Sequence, residues 1–195
     1  MDNPFQLFGE WFAKAAEAGI KEPEAMTLAT VSPSLRPTAR VVLLKGRDEE
    51  KFTFFTNYGS RKAQDLITNP QATLLFHWPA IERQIRIEGR VQKAREEVSD
   101  EYFATRPRLS QIGAWASNQS RPMPGYFQLE KNVAKESARF VGRKVPRPPF
   151  WGGFHLYPDY FEFWEAKAFR RHLRWIYTPS SENEPPTWEK QFLFP

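Results

Sequence analysis

A series of short apolar segments separated by turn signals most constrains the fold of this chain. The segments have the pattern of strands at 25–31, 38–45, 52–56, 72–78, 83–94, 151–156, 160–165, 170–177 and 188–193. Helical periodicity is confined to 4–18, 60–69, 99–105, 110–116 and 125–140. Because strands outnumber the helices between them, alternating βαβ units and a parallel sheet are disfavoured. We predict a mainly β, α+β fold in which an antiparallel barrel carries helices on its outside.

Local end signals support this division of the chain. Asn3 can cap the first helix, Pro4 suits its first position, and Gly19 can end it. Turns are predicted at Pro158-Asp159 and over 180–186, where Pro, Ser and Asn cluster.

Composition bounds the class of protein. The 195 residues suit one domain spanning 1–195, and 41% hydrophobic with 26% charged residues is ordinary for a globular protein. The absence of cysteine excludes disulfides, thiolate metal sites and cysteine nucleophiles. No apolar run is long enough for a membrane span, and the N-terminus lacks signal-peptide features, so we expect a cytoplasmic protein. Walker, dinucleotide-binding and nucleophile-elbow motifs are absent, and His77, His155 and His172 lack metal-ligand spacing, which predicts no metal.

The formal net charge of +5 suits nucleic acid, an anionic membrane or a phosphorylated small molecule as ligand. The basic residues occur as scattered groups near turns: Arg61-Lys62, Arg106 with Arg108, and Arg170-Arg171 with Arg174. Scattered groups favour discrete phosphate pockets over a DNA-binding stripe. For any single group, a solvated basic surface remains an equal alternative.

Two segments near the N-terminal half carry cations beside strand ends. Arg40 and Lys45 bound an apolar strand and should point to opposite faces unless a bulge intervenes. A buried strand whose ends reach solvent explains that segment equally simply. Ser60 can cap a helix whose first turn holds Arg61 and Lys62, where cations are unfavourable unless an anion binds there. An ordinary exposed turn is the alternative.

A third candidate anion site lies in the middle of the chain. Tyr102 and Arg106 are four residues apart and share one helix face, and Ser110 follows shortly after. A phenol, a guanidinium and a hydroxyl can hold a monophosphate. A packed tyrosine beside a surface arginine is the alternative.

The fourth candidate site lies near the C-terminus. Arg170, His172 and Arg174 alternate, which predicts that they share one face of a strand, with Trp164 across the hairpin. Cationic groups on one face repel one another unless an anion or partner is present.

Several longer segments carry a family resemblance. They are RVVLLK (40–45), FFTNYGSRKA (54–63), ERQIRIEG (82–89), YFATRPRLSQIGAWASNQS (102–120), FWGGF (150–154) and EFW (162–164). In this order and spacing they resemble the pyridoxine/pyridoxamine 5′-phosphate oxidase family. The resemblance implies an FMN-binding split β-barrel and a homodimer whose two subunits share two active sites.

The resemblance also implies roles for particular residues. The residues implied to surround FMN are Arg40, Val41, Val42, Leu43, Leu44, Lys45, Phe55, Thr56, Arg61, Lys62, Gln84, Gln119, Ser120, Trp164 and Arg174. Those implied to hold the substrate phosphate are Lys45, Tyr102, Arg106 and Ser110. Arg170 and His172 are implied to flank the pyridine ring as catalytic residues that position the substrate.

The implied reaction is oxidation of pyridoxine or pyridoxamine 5′-phosphate to pyridoxal 5′-phosphate, with dioxygen as acceptor and hydrogen peroxide as by-product. One rival is a related split-barrel flavoenzyme acting on another substrate, such as a phenazine precursor, which the predicted phosphate trio disfavours. A second rival is a basic nucleic-acid-binding barrel, which would be colourless.

The chain departs from the family pattern in three places. Leu173 stands where the family has an acidic residue next to the histidine, and Phe192 stands where it has an arginine. The first helix also begins close to residue 1, without the longer leading segment of many members. We expect these departures to bear on the orientation of His172 and on substrate range.

Overall fold

The computed structural model describes residues 3–180 and 187–195. These residues form five α-helices and nine strands. The helices are α1 (Pro4–Glu17), α2 (Arg61–Thr68), α3 (Glu96–Thr105), α4 (Arg108–Ala116) and α5 (Gln128–Arg139). The strands are β1 (Ala25–Val31), β2 (Pro37–Leu43), β3 (Gly46–Arg47), β4 (Phe52–Asn57), β5 (Gln71–Trp78), β6 (Arg83–Lys93), β7 (Trp151–Glu165), β8 (Leu173–Pro179) and β9 (Trp188–Leu193). Beyond Ser180, the turn predicted over 180–186 lies outside the described residues.

All nine strands belong to one sheet. Its order is β2-β1-β5-β6-β7-β4-β3, with β8 pairing with β7 and β9 pairing with β8. Every pairing is antiparallel, and the sheet curls into a half-barrel. The predicted mainly β, antiparallel architecture with outlying helices is therefore confirmed.

The long strand β7 joins two parts of this sheet. Its first half pairs with β4 and its second half with β8, while β6 runs along its other side. The turn predicted at Pro158-Asp159 is wrong, because the strand passes through it without a break. A register shift at Glu88/Gly89 of β6 faces Pro158, and a Cβ on Gly89 would collide with the Tyr157 carbonyl oxygen. A bulge with glycine therefore accommodates the proline that would otherwise end the ladder.

The helix α1 closes one side of the barrel. Asn3 Oδ1 accepts a hydrogen bond from Phe5 N at 2.9 Å, and Gly19 has a positive φ of 75°, so both predicted end signals are confirmed. Phe8 and Trp11 are buried, and Phe8 meets Phe52 and Phe76 edge to face at 4.9 and 5.0 Å. Burial of each such side chain contributes about 1.5–3 kcal/mol to folding.

A second, smaller hydrophobic cluster lies beneath α3, α4 and α5. It consists of Phe103, Ile112, Phe140, Val145 and Trp151. This cluster fixes α3 and α4 beside β4 and the start of β7. The last helix begins at Gln128, three residues later than predicted. In the part of the chain that the structure describes, no helix is long and apolar enough to cross a membrane.

Candidate functional site

A cleft of about 750 Å³ opens beside β2, β4, α3 and α4. This volume falls in the range of roughly 300–1,000 Å³ that small-molecule sites occupy. Many predicted site residues line it, namely Arg40, Val41, Val42, Leu43, Lys45, Phe55, Thr56, Lys62, Tyr102, Arg106, Ser110 and Gln119. Three of the four candidate anion sites of the sequence thus converge on one cavity.

Lys62 lies in this cleft at the start of α2. Its Nζ donates to Gln119 Oε1 at 3.0 Å and to Thr56 Oγ1 at 3.2 Å, and Ser60 Oγ is 3.4 Å away. All three partners are neutral. Burial lowers the pKa of Lys62, and the charge of Arg40 lowers it further. An anion beside Lys62 would oppose both effects, so the arrangement suits a phosphate.

The local structure at this helix start differs in part from the prediction. Ser60 occupies the N-cap position but makes no side-chain capping bond, and its hydroxyl faces Lys62 instead. Arg61 is exposed and does not line the cleft. Of the two adjacent cations, only Lys62 therefore faces the cavity.

Arg106 is the second cation of the cleft without a carboxylate partner among the described residues. Its guanidinium carbon lies 4.7 Å from the ring centre of Trp151, and its buried Nη1 has no hydrogen-bond partner in residues 3–180 and 187–195. Burial lowers the pKa of Arg106, an effect that Tyr102 opposes. A buried guanidinium N–H without a partner is costly, and an anionic ligand would satisfy it.

Three stacked aromatic rings form a wall of the cleft near Arg106. The Phe55 ring lies 4.1 Å from Tyr102 and 5.4 Å from Trp151, those two rings are 6.2 Å apart, and all three are within 16° of parallel. Gly153 makes room for the stack, because a Cβ there would approach the Phe55 ring to 2.9 Å. Trp151 was missed as a site residue, although the FWGGF segment contains it.

Arg40 lies in the same cleft with a different set of partners. It donates to Leu28 O at 3.1 Å, to Thr30 Oγ1 at 2.8 Å and to Thr38 Oγ1 at 2.5 Å. The buried carboxylate of Asp65 lies 4.0 Å from its Nη2 and accepts bonds from both threonines. Arg40 is therefore held in place by the protein itself.

The strand prediction around Arg40 and Lys45 needs correction. The strand β2 ends at Leu43, and Lys45 N then donates to Thr53 O. Both Arg40 and Lys45 line the cleft, and because β2 ends between them, alternation along one strand does not set their relative directions. Leu44 is buried in the core and does not line the cleft.

The remaining predicted residues form a separate group on β6, β7 and β8. Gln84 pairs with Trp164, and Trp164 pairs with Arg174, so these side chains form one row across three strands. The His172 ring lies 4.6 Å from the Trp164 ring, as expected for residues across a hairpin. None of this group, and neither Arg170 nor Ser120, lines the cleft.

The predicted alternation of Arg170, His172 and Arg174 along one strand is wrong. The strand β8 begins at Leu173, after a 3-10 turn at Ala168–Arg170 in which Phe169 and Arg170 have positive φ. His172 is held differently, because Lys167 N donates to its Nδ1 at 3.2 Å. In the neutral ring this leaves Nε2 as the protonated nitrogen.

Comparison with known proteins gives the family of this chain. Residues 12–140 match the family model described as pyridoxamine 5′-phosphate oxidase, and residues 151–195 match the pyridoxine 5′-phosphate oxidase C-terminal dimerisation region. A pyridoxine/pyridoxamine 5′-phosphate oxidase of Rubrobacter xylanophilus is 50% identical over 99% of this chain and 87% of the relative. The chain belongs to the pyridoxine/pyridoxamine 5′-phosphate oxidase family. The predicted family and enzyme class are therefore confirmed.

Two proteins of Burkholderia lata are similar to this oxidase-family chain, one in sequence and one in structure. A pyridoxine/pyridoxamine 5′-phosphate oxidase of that organism is 50% identical over 99% of this chain and 89% of the relative. The structure of PhzG from B. lata 383, in complex with tetrahydrophenazine-1-carboxylic acid, has a TM-score of 0.92 at 30% identity, covering 100% of this chain and 94% of PhzG. This chain thus shares its backbone with PhzG, whereas its sequence is more similar to that of the B. lata oxidase.

A third comparison concerns the fold alone. A pyridoxamine 5′-phosphate oxidase-related, FMN-binding protein of Nostoc punctiforme has a TM-score of 0.76 at 18% identity, covering 95% of this chain and 96% of that protein. The predicted split β-barrel of this oxidase-family chain is confirmed.

Proposed function

We propose that this chain is an FMN-dependent oxidase that converts pyridoxine or pyridoxamine 5′-phosphate to pyridoxal 5′-phosphate. The observation that carries the proposal is the pair of partly buried cations, Lys62 and Arg106, in one cleft. Neither has a carboxylate partner among the described residues. Two such cations suit two phosphate groups, one on the cofactor and one on the substrate.

FMN is the cofactor of this family, and the donors in the cleft fit it. When bound, it accepts a hydride from the substrate and passes the electrons to dioxygen. Lys62 would hold the FMN phosphate, supported by Thr56 and Gln119, and the exposed Arg61 at the same helix start would add only a screened attraction. The remaining predicted cofactor residues of β2 and β4 would line the isoalloxazine ring.

Tyr102, Arg106, Ser110 and Lys45 would hold the phosphate of the substrate. Pyridoxine 5′-phosphate loses a hydride from C4′ and a proton from its hydroxyl, and dioxygen is reduced to hydrogen peroxide. With the amine substrate, water hydrolyses the resulting imine and ammonia leaves. Arg170 and His172 would flank the pyridine ring and orient C4′, since orientation is the main task of the protein in such a reaction.

We propose further that the active protein is a homodimer with shared active sites. The row Gln84, Trp164 and Arg174, with Arg170 and His172, does not line the cleft of its own chain. A second copy could supply this group, and the match to a dimerisation region over 151–195 supports such an assembly. The lack of cysteine supports a cytoplasmic location.

A second candidate function is oxidation of a phenazine precursor, which the likeness to PhzG supports. The experiment is to purify the protein, measure its flavin spectrum, and assay peroxide formation with pyridoxine 5′-phosphate, pyridoxamine 5′-phosphate and tetrahydrophenazine-1-carboxylic acid. We expect a yellow protein with about one FMN per chain and turnover of the phosphate esters. Turnover of the phenazine compound alone would favour the second candidate. A colourless protein would contradict both.

A further inference from the structure

A buried carboxylate bridges two arginines beside the row formed by Gln84, Trp164 and Arg174. Glu162 on β7 is 5% exposed. Its Oε2 accepts from Nη2 of Arg86 and from Nη2 of Arg174, each at 2.8 Å. The Tyr160 hydroxyl donates to the same oxygen at 3.2 Å. No residue of the predicted site other than Arg174 takes part in this cluster.

Strand register explains how Glu162 reaches Arg174. Glu162 and Trp164 are two residues apart on β7 and share one face of the sheet. Arg174 is directly opposite Trp164, while Arg86 is directly opposite Glu162. The contact from Arg174 to Glu162 is thus diagonal, toward the next row of side chains, and such diagonals lie within reach of long side chains.

Glu162 is the only hydrogen-bond partner of the Arg174 side chain in the part of the chain that the structure describes. The Arg174 Nε is buried and makes no hydrogen bond there. The guanidinium is therefore fixed at one nitrogen and keeps another donor unused. The same contact raises the pKa of Arg174, so its charge is secure.

We propose that Glu162 is a positioning residue that holds the Arg174 guanidinium in the orientation in which it contacts the flavin. This inference rests on the proposed function, in which Arg174 contacts FMN. Arg86 shares the carboxylate and also has Glu88 at 3.1 Å, whereas Arg174 has no second carboxylate among the described residues, so without Glu162 it would lie next to another guanidinium with no anion of its own. Arg174 would then turn away from Arg86 and lose its place at the cofactor.

The test is the variant Glu162→Gln, which keeps the side-chain size and removes the charge. We expect the Kd for FMN, measured by quenching of flavin fluorescence on the apoprotein, to rise at least about tenfold, as for loss of a buried charged partner. The visible absorption of the bound flavin should shift as well. Glu165→Gln is the matched control, because Glu165 lies on the same strand and pairs with Arg83 and Lys167, outside the predicted site. Its FMN affinity should stay within about twofold of the wild type.

A double-mutant cycle separates positioning from a structural role. If Glu162 acts through Arg174, Glu162→Gln should add little to the FMN Kd in an Arg174→Ala background, which removes the contact altogether. Additive effects on Kd, or an unchanged Kd in Glu162→Gln, would overturn the inference. If Glu162→Gln does not fold, Glu162→Asp keeps the charge but shortens the side chain, and it should weaken FMN binding in the same direction. Wild-type protein that binds no FMN would instead refute the proposed function itself.

Discussion

The cations of the cleft fall into two kinds that differ in what the protein provides for them. Arg40 has three neutral acceptors and the buried carboxylate of Asp65 within 4.0 Å. Burial lowers the pKa of all three cations, but the charge of Asp65 opposes this at Arg40, whereas Lys62 and Arg106 have no carboxylate among the described residues. Arg40 is thus already satisfied, whereas Lys62 and Arg106 gain most from a bound anion.

This difference separates residues that shape the site from residues that bind its anions. Arg174 in the second group follows the pattern of Arg40, since Glu162 holds it. The proposed phosphate ligands, Lys62 and Arg106, should therefore show large effects on ligand binding when they are replaced. Replacing a carboxylate that holds an arginine in place, such as Asp65 or Glu162, should have a smaller effect on ligand binding. The effect should decrease with the number of other hydrogen-bond partners that the arginine keeps.

The largest expected effect is that of Arg106→Ala on the phosphorylated substrates. Loss of a buried guanidinium facing a dianion costs about 2–3 kcal/mol, so kcat/KM for pyridoxine 5′-phosphate should fall roughly 100-fold. The flavin spectrum should not change. Residual activity on unphosphorylated pyridoxine should be nearly unaffected, and steady-state peroxide assays on both substrates measure this.

The matched control for that variant is Arg108→Ala, on the neighbouring residue. Arg108 donates to the carbonyl oxygens of Phe140 and Arg143 and does not line the cleft. Arg108→Ala should lower thermal stability and change kcat/KM for both substrates alike. Equal losses for both substrates in Arg106→Ala would remove Arg106 from the phosphate site.

The second prediction separates the two adjacent cations at the start of α2. Lys62→Gln should raise the Kd for FMN about tenfold or more, because it removes a partly buried charge facing the cofactor phosphate. Arg61→Gln should raise it at most about threefold, because Arg61 is exposed and its charge is screened. Equilibrium titration of both apoproteins with FMN measures the ratio. A larger effect at Arg61 would reverse the assignment.

Local signals in the sequence were enough to predict the fold class and many of the residues that line the cleft. Tyr102 and Arg106 both line the cleft, although Arg106 is the extended C-cap residue of α3 and not part of the helix, and the end signals of α1 are confirmed. The continuity of β7 through Pro158 could not be predicted, because it depends on a bulge at Asp159 opposite Gly89, in a strand some seventy residues away. The start of β8 at Leu173 likewise depends on positive φ at Phe169 and Arg170, which those residue types do not signal.

The carboxylates that contact Arg40 and Arg174 could also not be predicted from local sequence signals. Asp65 lies on α2 and Arg40 on β2, and the two are brought together by the packing of that helix on the sheet. Glu162 lies in the EFW segment but has no role predicted from the sequence, because its diagonal contact with Arg174 follows from the register of β7 and β8. Long-range pairing, which no single segment encodes, decides both contacts.

A third, smaller effect is expected at Trp151. Its ring faces the Arg106 guanidinium at 4.7 Å and stacks on Phe55. Trp151→Leu removes a cation–π contact worth about 0.5–2 kcal/mol, so KM for pyridoxine 5′-phosphate should rise roughly three- to tenfold. Trp151→Phe keeps an aromatic face and should restore most of the loss. Failure of Phe to rescue KM would show that Trp151 acts by packing alone.

The smallest effect is expected for Asp65→Asn. This variant removes the carboxylate beside Arg40, as Glu162→Gln removes the one beside Arg174. The amide keeps the size of the carboxylate and can still accept from Thr30 and Thr38, and Arg40 keeps its bonds to Leu28 O and both threonine hydroxyls. Because three acceptors still hold Arg40, the Kd for FMN should change by no more than about threefold, as for a weakened ion pair in a retained network. Fluorescence titration of Asp65→Asn beside Glu162→Gln measures the contrast directly. An equal or larger loss at Asp65 would mean that the carboxylate charge, and not the number of partners, fixes these arginines.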